Sequence, residues 1–246
     1  CFYTIAQPLN GNYTINKLQA ASSTNFVSFQ SIFNALVARG VNGKVTIDVH
    51  NGPYTEQASL GIVPGATFVN TILINGNNQI ISYTATSPTD KHTLKIDGAD
   101  FLTIRNLSIQ ALGTSQAWGI HYTNNADNNV LDNCVISIPN FTGIGDGIGI
   151  VVAASNTNAL TAGSAAKKLL ITILMINHFS NKVLPLILFA IPISVKSSTV
   201  PCIKVLLVDF FTQPFAVKAT ASCVILTWPY SGLFLDTRIT LPNSSG

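Results

Sequence analysis

A twelve-residue pattern of this chain occurs twice: Gly98-Ala-Asp-Phe-Leu-Thr-Ile-Arg-Asn-Leu-Ser-Ile109 aligns without a gap on Asn125-Ala-Asp-Asn-Asn-Val-Leu-Asp-Asn-Cys-Val-Ile136, 27 residues further on. A period between 20 and 50 residues is the signature of a solenoid, in which each coil of backbone lies on the one before and matching positions share one environment. The alignment stacks Asp100 on Asp127, Ile104 on Leu131, Asn106 on Asn133, Leu107 on Cys134 and Ile109 on Ile136, apolar on apolar and polar on polar. A third copy runs through residues 165–172, with Leu170 and Ile171 in the places of Val130 and Leu131. It breaks at Ile173, which falls where Asn106 and Asn133 stand. An inward-turned Asn at a corner can hydrogen-bond the coils above and below as a side-chain ladder, and isoleucine cannot continue it.

Around the repeat, short runs of β-branched residues alternate with clusters of Asn, Gly, Asp and Ser, which are turn formers. Candidate strands cover 44–49, 71–74, 79–83, 93–96, 102–109, 119–122, 130–136 and 147–152. No segment of helical length and period separates them, which argues against alternating βαβ units and for an all-β chain. The expected fold is a right-handed parallel β-helix over residues 8–172.

One helix precedes it. Phe29, Ile32, Phe33, Leu36 and Val37 recur at helical spacing between Ser28, a suitable N-cap, and Gly40, a suitable C-terminal stop; Val27 and Ile32 stand where a hydrophobic staple would put them. A short helix with one apolar face fits as a cap on the first coil.

Charged residues make up only 9% of the chain, so neutral polar groups must cover the surface. The net charge of +3 is unevenly placed: residues 1–168 hold 8 Lys+Arg and 8 Asp+Glu, and the remainder 5 and 2. No basic cluster interleaves with aromatics, which argues against nucleic acid as a partner. Cys1, Cys134, Cys202 and Cys223 have no zinc-type spacing and are expected as buried thiols. Residues 1–7 resemble the end of a signal-peptide apolar region, with Thr4 and Ala6 as the small residues before cleavage; a fragment starting inside a strand would look similar.

The composition shifts abruptly after about residue 172. Asn falls from 20 in residues 1–168 to 3 in 169–246, and Gly from 15 to 2, so the turn chemistry of a β-solenoid is nearly gone. Residues 183–195 are apolar, but too short and proline-broken for a membrane helix, and no membrane insertion is expected. Translation out of frame would account for the whole of residues 173–246, because Lys167-Lys168 requires adenine-rich codons where a base is easily gained or lost.

Several stretches carry a family likeness: Gly11-Asn-Tyr-Thr-Ile15, the 29–40 helix, Gly52-Pro-Tyr-Thr-Glu-Gln57, Ile96-Asp-Gly-Ala-Asp-Phe-Leu-Thr-Ile-Arg-Asn106 and Asn124-Asn-Ala-Asp-Asn-Asn129. In these, residues 8–172 resemble the large secreted right-handed β-helix proteins common in Bacteroidota, themselves distantly similar to pectate lyases and pectin esterases. The resemblance implies a secreted or cell-surface protein, of which this chain is an N-terminal part. It does not extend to a catalytic segment, since the Gly-x-x-Asp-Phe-Ile-Phe-Gly type of motif is missing.

Three readings of function follow. The first is a non-catalytic module for adhesion or for binding an extended polysaccharide or cell-surface glycan, with Tyr54, Trp118 and Tyr122 as stacking surfaces if exposed. The second is a polysaccharide lyase or glycoside hydrolase drawing on Asp97, Asp100, Arg105, Asp127 and Asp132. Neighbouring coils lie about 4.8 Å apart, so Asp100 over Asp127 would bring two carboxylates within reach of a retaining mechanism or of one shared Ca2+. Against this stand Asx turns for both Asp residues and a cross-coil ion pair for Arg105 and Asp132. The third is a structural spacer in a larger exported protein. No cofactor is expected beyond that Ca2+. His50, His92 and His121 are scattered in sequence, and Glu56, the only Glu, is expected to bind backbone amides.

Overall fold

The structure, a computed structural model, describes residues 7–143 and 146–161, together with three short strands beyond them. Strands β1 (Leu9–Asn16) and β2 (Asn25–Phe26) and helix α1 (Phe29–Arg39) come first. The first coil is β3 (Val41–His50), β4 (Tyr54–Thr55) and β5 (Ala58–Leu60). The second is β6 (Ile72–Asn75), β7 (Ile80–Tyr83) and β8 (His92–Asp97). The third is β9 (Leu102–Arg105), β10 (Ser108–Ala111) and β11 (Ala117–Thr123). The fourth is β12 (Asn129–Asp132), β13 (Cys134–Ser137) and β14 (Gly147–Val152). A fifth is outlined by β15 (Leu169–Ile171), β16 (Leu174–Asn177) and β17 (Leu188–Phe189).

Each coil contributes one strand to each of three parallel sheets, so the chain is a parallel β-solenoid of about five turns. The first sheet runs β2-β1-β3-β6-β9-β12-β15, the second β4-β7-β10-β13-β16 and the third β5-β8-β11-β14-β17. The aligned repeats are neighbours in the predicted register: Ile104 faces Leu131, Arg105 faces Asp132 and Ile109 faces Ile136. Val130 and Leu131 face Leu170 and Ile171, as the third copy requires.

Inward positions form aliphatic columns, because alternate residues of a strand point to one face. Tyr13, Ile47, Ile74, Ile104 and Leu131 stack down the first sheet, and Tyr54, Ile81, Ile109 and Ile136 down the second. Leu60, Ile96, Tyr122 and Val152 stack down the third. All are buried. Burying an aliphatic or aromatic side chain is worth about 1.5–3 kcal/mol, so the columns hold the coils together.

Helix α1 closes the open end. Ser28 is its N-cap, exchanging bonds with Ser31 in a capping box, and Gly40 takes φ 67° at its end. Phe29, Ile32, Phe33 and Leu36 are fully buried, whereas Val37, expected on the same face, is 41% exposed at its rim. Phe29 meets the Tyr54 ring edge-on at 5.4 Å, which keys the cap into the first coil.

The two long strands expected over 102–109 and 130–136 are each broken in two. Asn106 and Asn133 adopt left-handed conformations, φ 52° and 51°, that turn the chain from the first sheet into the second. Asn tolerates this region better than other side chains. The inward positions at these corners are Leu107 and Cys134, both buried. The ladder asparagines therefore lie on the outside of the corner rather than turned into the core. Residues 1–6, Ile173 and nearly all of the 173–246 tail, with the frame-shift proposed for it, lie outside the described residues. Among the described residues no helix is long and apolar enough to cross a membrane.

Candidate functional site

The corner between the first and second sheets repeats one device. Asn51, Asn77 with Asn78, Asn106 and Asn133 all have φ between 48° and 58° and follow the first-sheet strands of successive coils. Asn133 Nδ2 donates to Asn106 Oδ1 at 2.8 Å, Asn106 Nδ2 to Asn75 Oδ1 at 3.4 Å, and Asn75 Nδ2 to Asp48 Oδ1 at 2.9 Å. Higher up, Asn51 Nδ2 donates to Asn16 Oδ1 at 2.8 Å. A side-chain amide offers two N–H donors and two acceptor lone pairs. A ladder amide that gives one bond and takes one thus keeps capacity on its solvent side.

At the capped end this row opens into a cleft of about 450 Å3, lined by Thr14, Asn16, Gln19, His50, Asn51 and Gln79. Strands β1 and β3 bring Asn16 against His50 in register, and Asn51 follows directly. Gln79 spans the coils: Oε1 accepts from Gly52 N at 2.7 Å and Nε2 donates to Asn77 O at 3.2 Å. The nearby Lys17 ammonium is held elsewhere, donating to Pro53 O at 2.7 Å over the Tyr54 ring. The cleft is thus lined by hydrogen-bonding groups with no carboxylate or ammonium among them.

The candidate catalytic and stacking residues singled out from sequence do not line this cleft. Asp97 pairs with Lys95 at 2.9 Å. Asp100 Oδ1 accepts from the backbone N–H of Asp127 at 2.6 Å, so the contact joining the two coils runs from a carboxylate to an amide. Burial raises the Asp100 carboxyl above its ordinary value, with the Asp127 amide opposing. Arg105 Nε meets Asp132 Oδ2 at 2.7 Å across adjacent coils. Asp100 and Asp127 precede β9 and β12 whereas Arg105 and Asp132 end them, so the two pairs sit at opposite ends of the same strands.

The stacking role of the aromatics required exposure, and the structure buries all three. Trp118 and Tyr122 are 0% exposed and Tyr54 4%. The Tyr54 hydroxyl lies within hydrogen-bond distance of the Ile15 and His50 carbonyls and accepts from Lys17 N, a framework role. Glu56 binds backbone amides as expected, those of Phe29 and Gln30 at the start of α1. Cys134 is a buried free thiol bonded to Ile104 O, its pKa pushed up by burial.

Sequence reasoning missed the cleft because β1 shows no plain alternation. With β1 unplaced, nothing put Asn16 over Asn51. The visible signal was Asn or Gln recurring at or just past the ends of β1, β3, β6, β9 and β12, at Asn16, Asn51, Asn77 to Gln79, Asn106 and Asn133. No protein-family model matches the chain, and no curated protein or solved structure matches it significantly.

Proposed function

We propose that this protein is a secreted or cell-surface solenoid that binds an extended polysaccharide, as an adhesion or glycan-binding module, along its amide-lined corner. The observation that carries the reading is the cleft of Thr14, Asn16, Gln19, His50, Asn51 and Gln79, free of carboxylates and ammoniums, beside the amide row of Asn75, Asn106 and Asn133. Sugar hydroxyls need paired donors and acceptors in a shallow, open site, and side-chain amides supply both. A repeating ligand also suits a repeating surface, because each coil offers the same group to each successive unit. The low charge of the chain agrees with a neutral glycan better than with a polyanion.

The test is retention on immobilised polysaccharides, neutral and uronic, followed by Gln19→Ala with His50→Ala. Both side chains are exposed and neither makes a hydrogen bond that the fold needs. Two lost hydrogen bonds of about 1 kcal/mol each should weaken binding about 10-fold or more. Unchanged binding in the double variant would remove the cleft from the reading, and no retention on any glycan would leave the spacer. Asp100→Ala with Asp127→Ala separates the enzyme alternative, with or without Ca2+. A binder keeps its affinity, whereas a lyase or hydrolase loses turnover of a polyuronate.

A further inference from the structure

Both faces of β11 are buried, including the one turned away from the solenoid core. Trp118 packs there with Ile148, Val151, Ala153 and Ala159, and His121 lies against the Trp118 ring at 5.2 Å and 6.4 Å from His92. The cover is the segment after β14. Ala154 N donates to Thr161 O at 3.0 Å, closing a compact loop; within it Ser155 Oγ accepts from the Thr157 and Asn158 amides. Lys91 pins the loop down, its ammonium donating to Thr157 O at 2.8 Å and to Asp146 Oδ2 at 2.9 Å while standing 5.1 Å above the Trp118 ring.

The hydrogen bonding beneath this loop fits only a neutral imidazole. His121 Nε2 lies 3.0 Å from Ala153 O and so carries the ring proton, whereas Nδ1 is buried without a partner. A second proton would put a cation and an unanswered N–H into that space, beside another histidine. The groups facing the two rings are the Lys91 and Lys95 ammoniums and the Asp90, Asp97 and Asp146 carboxylates, while residues 153–161 carry no charge. Lys91 and Lys95 are already paired with Asp146 and Asp97.

We propose that residues 154–161 form an acid-released cover: closed on Trp118 and His121 at neutral pH, it lifts when His121, beside His92, takes up a proton, while the coils beneath stay wound. Burial, and for His92 its neighbour His121, lowers both rings to about 4 in the closed state. Once uncovered, a ring returns towards the ordinary 6.5, so opening takes up protons and is favoured as pH falls below that value. For one ring, opening should rise about 30-fold between pH 7.5 and pH 5.

Hydrogen exchange of the intact protein from pH 7.5 to 4 tests this. After correction for intrinsic rates, exchange at the Ala154 and Thr161 amides should rise about 30-fold by pH 5 relative to β11 and β14, with the far-UV signal unchanged. In a Trp228→Phe background, quenching of Trp118 should rise over the same range. A constant ratio, or loss of the far-UV signal in step with loop exchange, overturns the proposal. His121→Gln, which can still donate to Ala153 O, should blunt the response, and Lys91→Met should open the loop already at pH 7.5. The wild-type titration decides the matter even where a variant fails to fold.

Discussion

The carboxylate of Glu56 straddles the start of the capping helix, with Oε1 accepting from Phe29 N at 2.9 Å and Oε2 from Gln30 N at 3.1 Å. Glu56 follows β4, so one side chain ties the cap to the first coil and answers two of the amides that a helix start leaves unpaired. Negative charge is also favoured at that end by the helix dipole. Glu56→Ala should therefore lower stability by about 2 kcal/mol, read as a drop in the urea midpoint with unchanged slope. A change below about 0.5 kcal/mol would mean that the cap is held by its apolar face alone.

The same carboxyl should titrate above its ordinary value. Burial raises its pKa and the two amides only partly oppose this, so the folded value lies above the unfolded one. For an acid shifted in that sense, the stabilising share is fully present below the unfolded pKa and is lost as pH rises through the folded one. Glu56 is the only Glu in the chain, so selective 13C labelling gives a single carboxyl resonance to follow. A midpoint at or below that of free Glu would show the amides outweighing desolvation.

At the ladder corner, backbone conformation and side-chain bonding can be separated. Asn106 has φ 52° and bonds the coils on both sides, whereas Asn133 has φ 51° and donates upward to Asn106. A left-handed residue other than Gly or Asn costs about 1–2 kcal/mol, so Asn106→Ala should be worse than Asn106→Gly by about that much in thermal or urea melts. Equal costs would assign the asparagine entirely to its amide bonds.

How much of this was legible beforehand follows from what each residue answers to. Ile104 over Leu131 and Ile109 over Ile136 could be read from sequence, because inward columns demand apolar side chains and a gapless 27-residue offset aligns them. The offset is not constant, though: Ile72 to Leu102 takes 30 residues and Leu131 to Ile171 takes 40. The corners absorb insertions at small energetic cost, and a fixed period cannot see that. The direction of Asn106 was misread because a left-handed residue leaves the strand's alternation. The burial of Trp118 was illegible for another reason. Its burial depends on residues 153–161 folding back over the third sheet, a tertiary event with no mark in the local pattern.

The Arg105–Asp132 pair should matter little to stability. Arg105 is 47% exposed and Asp132 25%, and exposed pairs are worth about 0–1 kcal/mol. Asp132→Asn and Arg105→Gln should each cost under about 1 kcal/mol, with a double-mutant coupling that shrinks further in high salt. A coupling above about 2 kcal/mol would mean that the pair acts as a desolvated bridge.

Close stacking leaves no room for a side chain at Gly76. Its N–H donates to Arg105 O at 2.7 Å, and a Cβ there would stand 2.6 Å from both Asn106 O and Leu107 Cα in the next coil. Those atoms are backbone and cannot swing aside. The same Asn106 carbonyl accepts from Asn78 N at 2.7 Å, so relief of the clash would break a bond between coils. Gly76→Ala should therefore cost about 3 kcal/mol, the upper end of overpacking, while Gly61→Ala, whose Cβ meets only Val37 Cγ2 at 3.5 Å, should change stability by no more than about 0.5 kcal/mol. Both variants are compared by urea melts. Matching costs would mean that the second and third coils have room to part at this corner, and the amide ladder joining Asn75 to Asn106 would then have to be looser than its bonds require.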